Sequence, residues 1–355
     1  MPAVPTQPIV IDLPAAVAPG DQALRDFYES LLARLQTAQL ENDPDTMEAL
    51  VDSWLRDDAP EWARARLLGF RALARGIRFE RHALRTASIA VRPADGAAGD
   101  APAAVVAAPP AVVAAPAAVV AAPAGTDASA GAAAAPPDPE AIGTPLLFEL
   151  TVPPLTAGDL TLHAYDQDDP IAFHVEVSVR DQFVDGSVRD HGDGDVVRLR
   201  RAVALREGPL RVPVRIDLGP SGAVRRRIDL RIDLLPGYAF AGDERVPLHR
   251  TTLAATVATQ WPAGHRELRK APLPSLRAAL QQPGPAQYLR VWLAAEFAPA
   301  ADRAAVEAAL IDWVRLGSND QATVAMAALH ALGAAQIPVG DRDGWLAWWQ
   351  SGRQH

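Results

Sequence analysis

The run Ile171-Ala-Phe-His-Val-Glu-Val-Ser-Val179 alternates apolar and polar residues without a break. Because successive side chains of a β-strand point to opposite faces of the sheet, this pattern predicts a strand with one buried and one solvated face. Residues 210–218 and 228–234 alternate in the same way. Several such runs are typical of antiparallel sheets, and they predict an Ig-like antiparallel β-sandwich over residues 144–264.

Charges on the polar faces suggest how two of these runs pair. A hairpin that sets Arg215 opposite Asp229 also sets Ile216 opposite Ile228, so that charge and apolar partners agree. A shift of the register by one residue would expose the apolar side chains of one strand to solvent and bury its charged ones. We therefore predict this hairpin and this register.

The segment before the sandwich, residues 21–92, has a helical period. Apolar residues recur at steps of three and four from Leu24 to Leu35, and again in two later runs. Asp43 followed by Pro44 is a typical helix start, because the side chain of Asp caps the first turn and Pro fits its first position. We expect three amphipathic helices that form a small helical hairpin or bundle.

Residues 93–143 have a different composition, almost entirely Ala, Pro, Val and Gly with a few Asp. The unit Pro-Ala-Ala-Val-Val-Ala-Ala begins at Pro102, recurs shortened at Pro110, and recurs in full at Pro116. Recurrent Pro interrupts helices and removes backbone donors, while Ala and Val offer too little bulk for a core. The sequence predicts a disordered linker here and a flexible N terminus over 1–20, with folded bodies that can move apart.

Residues 265–355 return to the helical period. One predicted helix contains Trp292, and Asp302 opens the next; Gly317 ends that helix and Ser318 caps another. The chain then closes on a tryptophan-rich stretch that begins at Asp343, with three tryptophans in five residues. Its rings would form either an aromatic ligand platform or, more simply, a hydrophobic cap on the helices.

These helices resemble a known repeat family. Two helices joined by a tight Leu-Gly-Ser turn, the second containing Ala327-Ala-Leu-His-Ala-Leu-Gly333, resemble one HEAT-type repeat. The tryptophan-rich tail is similar to the terminal cap that follows such repeats in some bacterial proteins. The resemblance implies a partner-binding scaffold, although the chain offers at most two helix pairs where stacked repeats use three or more.

Composition excludes several classes. The 355 residues carry a net charge of −9, which argues against general nucleic-acid binding or binding to anionic membranes. The chain has no cysteine, which excludes disulfides, thiolate metal sites and cysteine nucleophiles. No apolar run approaches the roughly 18 residues of a membrane span, and the start lacks the pattern of a signal peptide. We expect a cytoplasmic location by default, or a periplasmic or envelope location if a signal was removed.

The third predicted helix carries a row of arginines at steps of seven, four, three and seven: Arg64, Arg71, Arg75, Arg78 and Arg85. This arginine ridge would dock an acidic partner or nucleic acid. The simpler interpretation is a solvated face, because Lys270 is the only lysine and Arg supplies nearly all the positive charge.

A histidine pair is a candidate metal site. If residues 160–165 and 172–177 form a hairpin, His163 lies opposite His174 with Glu176 nearby. Two imidazoles near a carboxylate would bind zinc or respond to pH. Two histidines are too few for a tight site, so the simpler interpretation is a solvated face, and we predict no metal and no cofactor.

Two groups of acidic residues are further candidates, one for binding calcium and one for catalysing hydrolysis. Asp190, Asp193 and Asp195 miss the spacing of a helix–loop–helix calcium site, so we expect a solvated turn between strands. Asp166, Asp168 and Asp169 would serve a hydrolase only if they converged in a cleft, and the Asp-Gln-Asp-Asp-Pro run is simpler turn chemistry.

The expected function is a non-catalytic protein-interaction or scaffold protein with a protein partner, in which a helical module is tethered to a sandwich and a helical-repeat body. Phosphate-binding loops and nucleophile elbows are absent from any strand–turn–helix context. One alternative is a carbohydrate-active or hydrolytic accessory protein with a site on the sandwich. Another is a structural component of the cell envelope.

Overall fold

The computed structural model describes residues 22–55, 61–94, 104–107, 140–156, 159–282 and 285–352. Within these described ranges, helices lie towards both ends and strands lie between them. The helices are α1 (Gln22–Leu40), α2 (Pro44–Leu55), α3 (Glu61–Thr86), α4 (His265–Lys270), α5 (Pro272–Gln281), α6 (Pro285–Glu296), α7 (Arg303–Leu316), α8 (Asn319–Ala331) and α9 (Arg342–Ser351).

The strands form three sheets. Their bounds are β1 (Ser88–Pro93), β2 (Ala104–Ala107), β3 (Leu146–Val152), β4 (Thr161–Leu162), β5 (Ala172–Gln182), β6 (Val188–Arg198), β7 (Val203–Ala204), β8 (Leu210–Asp217), β9 (Arg225–Leu234), β10 (Gly237–Ala241), β11 (Glu244–Leu248) and β12 (Thr251–Gln260). The first sheet has the order β1-β3-β8-β2, the second β12-β9-β5-β6 and the third β11-β10-β4-β7.

The alternating runs do bury one face. Phe173, Val175, Val177 and Val179 of β5 are at most 3% exposed, whereas Glu176 and Ser178 between them are exposed. The apolar faces of the first and second sheets enter one core, which also contains residues of the third sheet. The prediction of antiparallel strands with one solvated face is therefore confirmed, with β2, parallel to β8, as an exception.

The predicted hairpin between residues 210–218 and 228–234 is wrong. Strand β8 pairs with β3 and β2, so that Arg215 lies opposite Leu147. Strand β9 lies in the second sheet between β5 and β12, with Asp229 opposite Ser178 and Val257. A cross-strand charge pair on a solvated face stabilises a sheet by only about 0.2–1 kcal/mol. That is too little to determine which strand lies beside β8 when several strands have the same apolar alternation.

The N-terminal helices agree with the sequence. The side chain of Asp43 accepts hydrogen bonds from the backbone N and the Oγ1 of Thr46, at 3.2 and 2.6 Å, so that α2 begins at Pro44. These bonds hold the pKa of Asp43 below its usual range. The three helices share a core of their own, in which Leu35, Met47 and Val51 are fully buried.

The composition of the Ala/Pro-rich segment suggested a linker between two separate bodies. In the structure it does not connect separate bodies. Helix α3 runs through Ala87 into β1, which pairs antiparallel with β3 so that Pro93 lies opposite Leu146. The backbone N of Ala94 donates to Pro145 O at 2.8 Å. The segment therefore leaves and re-enters at the same end of the antiparallel β1–β3 pair, as an insertion between two neighbouring strands. Within it the structure describes 93–94, 104–107, which form β2, and 140–143; the remainder, like residues 1–20, lies outside the described residues.

Helix α3 packs directly on the sheets. Phe79 and Ala83, both fully buried, belong to the core that the sheets share. Gly76 lies so close to β11 that a Cβ placed on it would come within 2.2 Å of Pro247 O. The helical module and the sheets therefore form one body, which differs from the expectation of a tethered module.

Helices α7 and α8 begin and end where the sequence predicted. Helices α7 and α8 pack together across the turn at 317–318, and Ser318 forms a capping box with Gln321. Gly333, at a φ of 66°, follows the end of α8. Trp345 of α9 is fully buried and its Nε1 donates to Pro338 O at 3.2 Å. Trp348 and Trp349 pack against the same helical core, as the cap interpretation predicts.

A polar cluster joins the sheets to the C-terminal helices. His265 is 1% exposed, with its Nδ1 3.1 Å from Pro262 O and its Nε2 3.1 Å from Glu140 Oε2. Arg269 donates to Glu140 at 2.8 Å and lies 4.7 Å above the centroid of the Phe297 ring. This cluster also anchors the returning end of the insertion.

Two further contacts hold the same junction. Arg225 of β9 donates to Glu296 of α6 at 2.8 Å. Gly186, in the turn between β5 and β6, lies against Ala327 of α8 and against Val339. The sheets and the C-terminal helices are thus in contact at several points.

Candidate functional site

The arginine ridge is largely occupied by contacts within the chain. Nη2 of Arg71 and Nη1 of Arg75 lie 3.4 and 2.9 Å from Oε2 of Glu244 on β11. Nε of Arg75 also lies 3.4 Å from Oε1 of Glu48 on α2, and Arg78 donates to the same carboxylate. These groups are about four-fifths buried, so the pairs are shielded from solvent better than ordinary surface pairs.

The ridge therefore acts first as a clamp between α2, α3 and β11. Arg78 completes it through Asp45, whose Oδ1 lies 2.7 Å from Nη2. Arg64 and Arg85, at the two ends of the row, are exposed. These two remain the ridge positions at which docking of a partner stays a prediction.

A histidine adds to the contact between α3 and the sheets. Glu80 Oε1 accepts from the backbone N of His249 at 2.6 Å, and the His249 Nδ1 lies 3.2 Å from the same oxygen. The hydrogen bond with Glu80 raises the pKa of His249 above its usual value, although burial opposes the shift. Nε2 of His82 on α3 lies 2.9 Å from Pro153 O.

The raised pKa of His249 predicts that stability falls as pH rises. Protonated His249 stabilises the folded chain below the unfolded pKa of about 6.5, and that contribution is lost as pH rises through the raised folded pKa. The wild-type chain should lose more thermal stability between about pH 6 and pH 9 than the His249→Gln variant. Melting curves of both chains across this range measure the difference.

The control for this prediction is Glu80→Gln, which removes the carboxylate and keeps a hydrogen-bonding side chain. It should flatten the pH dependence as much as His249→Gln does. Identical pH profiles for the wild type and both variants would contradict the assignment.

The structure does not bring the candidate histidines into one hairpin, so the predicted pairing is wrong. His163 follows β4, which pairs with β10 and β7, and its ring stacks on Phe240 with centroids 3.8 Å apart. His174 lies on β5 in the second sheet, opposite Asp233 and Val196. The short β4 was too small to be assigned a partner from its sequence.

The structure places His174 beside Gly194 of the neighbouring strand β6. Its neighbour Glu176 lies opposite Arg231 and Gly194, and a Cβ at Gly194 would approach the His174 Nε2 to 3.2 Å. The His174 Nδ1 is buried and has no hydrogen-bond partner among the residues described. In the same described part of the chain, no three His, Asp or Glu side chains are grouped to hold a metal ion.

The acidic, glycine-rich segment is mainly a strand, and the predicted turn is confined to 183–187. Asp190 lies on β6 and accepts from Arg180 at 2.7 and 3.1 Å. Asp193 and Asp195 accept hydrogen bonds from the next backbone N–H, at 2.8 and 2.7 Å. Strand β6 is an edge strand, and its unpaired backbone N–H groups could pair with a strand of another molecule. The two carboxylates accept hydrogen bonds from such groups and so oppose that pairing.

The second acidic group is spread apart. Asp166 and Asp168 are exposed, while Asp169 lies 2.7 Å from the Nη2 of Arg245 on β11. Asp169 has a φ of 50°, a left-handed conformation that Asp tolerates in turns. This arrangement fits turn chemistry and gives the hydrolase alternative no cleft of paired carboxylates at these positions.

Comparisons with known proteins return no relative. No protein family, curated protein or solved structure matches this chain. Among the described residues, no helix is long and apolar enough to cross a membrane.

Proposed function

We propose that this chain is a non-catalytic interaction protein that serves as a scaffold for a protein partner. The observation that supports this most is that its three parts are held as one body by contacts at both junctions. Helix α3 is clamped to β11 by Arg71, Arg75 and Glu244, and the C-terminal helices contact the second sheet through Arg225 and Glu296. A body fixed before binding loses less conformational entropy when a partner docks.

In this proposal the first and second sheets form the Ig-like β-sandwich, and α7 with α8 forms one HEAT-type repeat. The helical module has a fixed position on the sheets, and its surface is available to the partner at that position. A module tethered by a flexible linker would have no fixed position. The Ala/Pro-rich segment is then an insertion between the paired strands β1 and β3 instead of a linker between separate parts.

The experiment is capture of partners by the full tagged chain from a native lysate, followed by reconstitution with the purified partner. We expect one protein to bind with a Kd below about 10 µM in calorimetry. A matched bait carrying Gly76→Leu, which disturbs the contact between α3 and β11, should bind less. Failure of every captured protein to bind in purified form would contradict the proposal.

A further inference from the structure

We propose that Arg198, Arg200 and Arg201, with Tyr165 beside them, form the docking site for an acidic segment of the partner protein. This inference rests on the proposed function and names the chemistry of the partner. The three arginines lie where β6 ends and the chain turns towards β7.

Local structure directs these arginines to solvent. Leu199, between Arg198 and Arg200, is 5% exposed and belongs to the core of the sheets. Its backbone N donates to Ile171 O at 3.4 Å and its O accepts from Tyr165 N at 2.8 Å. Because Leu199 is fixed inward on both sides, the arginine side chains on either side of it are exposed.

Their charge is uncompensated, which distinguishes them from neighbouring arginines. Arg206 pairs with Asp159, and Arg180 pairs with Asp190. Within the described ranges, no carboxylate lies within ion-pair distance of Arg198, Arg200 or Arg201. Three positive charges within four residues are therefore available to an external carboxylate.

Tyr165 supplies an exposed aromatic side chain on the turn whose backbone is bonded to Leu199. Its side chain is 62% exposed, although its backbone is held against Leu199. The turn that carries it is closed by the hydrogen bond from Gln167 N to Ala164 O, at 3.1 Å, and by that from Ala164 N to the side chain of Gln167, at 2.8 Å. An exposed tyrosine on a turn bonded to an arginine-rich segment matches the composition of many binding hot spots.

The charges favour an acidic peptide over nucleic acid. Arginine forks bind carboxylates in a bidentate way, and a few carboxylates are enough to match three forks. A nucleic acid carries phosphates along its whole length, and three arginines within four residues match only a few of them. One exposed ring is also too few for the successive base stacking typical of single-strand binders.

The test is fluorescence anisotropy with a fluorescein-labelled peptide of alternating Glu and Ser, bound to the full chain. We expect binding at about 50 mM salt that weakens at about 300 mM, as screening of exposed charges requires. The triple variant Arg198→Gln, Arg200→Gln, Arg201→Gln should lose at least about tenfold in affinity. Since these side chains are exposed, its melting temperature should stay close to that of the wild type.

The matched control removes three other exposed arginines that make no ion pair among the described residues and lie outside the arginine ridge, Arg34→Gln, Arg277→Gln and Arg290→Gln. It changes the net charge equally and should bind the peptide within about twofold of the wild type. An equal loss in both variants, no peptide binding by the wild type, or equally tight binding of duplex DNA would overturn the proposal.

The same variant separates this inference from the proposed function. If the captured partner binds the wild type and the triple variant equally well, the interaction function stands and the docking site lies elsewhere. If no partner binds either chain but the acidic peptide binds as expected, the scaffold proposal is the one that fails.

Discussion

Replacing Arg226 with methionine should lower the free energy of unfolding by about 3–5 kcal/mol, the effect expected when one partner of a buried ion pair is removed. The side chains of Arg226 and Asp181 are only 3% and 6% exposed, and two hydrogen bonds of 2.8 and 2.9 Å join them as a fork. Arg226 also donates to Gly219 O at 2.9 Å, and Ser221 donates to Asp181 at 3.0 Å. The variant would leave a buried carboxylate without its cation.

The adjacent arginine is the matched control. Arg227 is 54% exposed and pairs with exposed Asp229, so Arg227→Met should cost at most about 1 kcal/mol. The double variant Arg226→Met, Asp181→Leu should be less destabilised than Arg226→Met alone, because no charge remains buried. Denaturant unfolding of the four chains measures these differences. Equal effects of Arg226→Met and Arg227→Met would contradict the buried pair.

Replacing Gly76 with alanine should destabilise the chain by about 2 kcal/mol, although alanine normally favours a helix. Its Cβ would come within 2.2 Å of Pro247 O, a backbone atom that cannot turn aside as a flexible side chain can. Helix α3 would have to move away from β11. That movement would weaken the pair of Arg75 with Glu244 and the burial of Phe79.

Gly69 on the same helix is the control. No atom outside its own helix lies within 4 Å of a Cβ placed there. Gly69→Ala should therefore stabilise the chain by about 0.5–1 kcal/mol, the ordinary gain of alanine over glycine in a helix. If the two substitutions stabilise equally in thermal unfolding, α3 does not pack against β11 at Gly76.

Local patterns in the sequence predicted elements well and pairings poorly. Asp43 and Ser318 marked helix starts because a cap depends on residues a few positions apart. The alternation from Phe173 to Val179 marked the buried face for the same reason. Which strand lies beside β8 depends on distant segments whose alternation looks the same, so surface charges suggested the wrong neighbour.

Two features were present in the sequence and were missed. Arg226 is in phase with Ile228 and Leu230, so the alternation of β9 places it on the buried face. The run Arg198-Leu-Arg-Arg201 was visible as a concentration of charge. What the sequence did not indicate is that both ends of the Ala/Pro-rich segment meet, since β1 is a short strand that directly follows a long helix.

The most direct test of a single body is to cut the insertion. A specific protease site placed among residues 120–130 allows the folded full chain to be cleaved, after which the products are run on a sizing column without denaturant. Because α3 and β1 stay bound to β11 and β3, the two fragments should elute together at the volume of the uncut chain. Fragments that elute separately would show that the helical module is held by the linker alone.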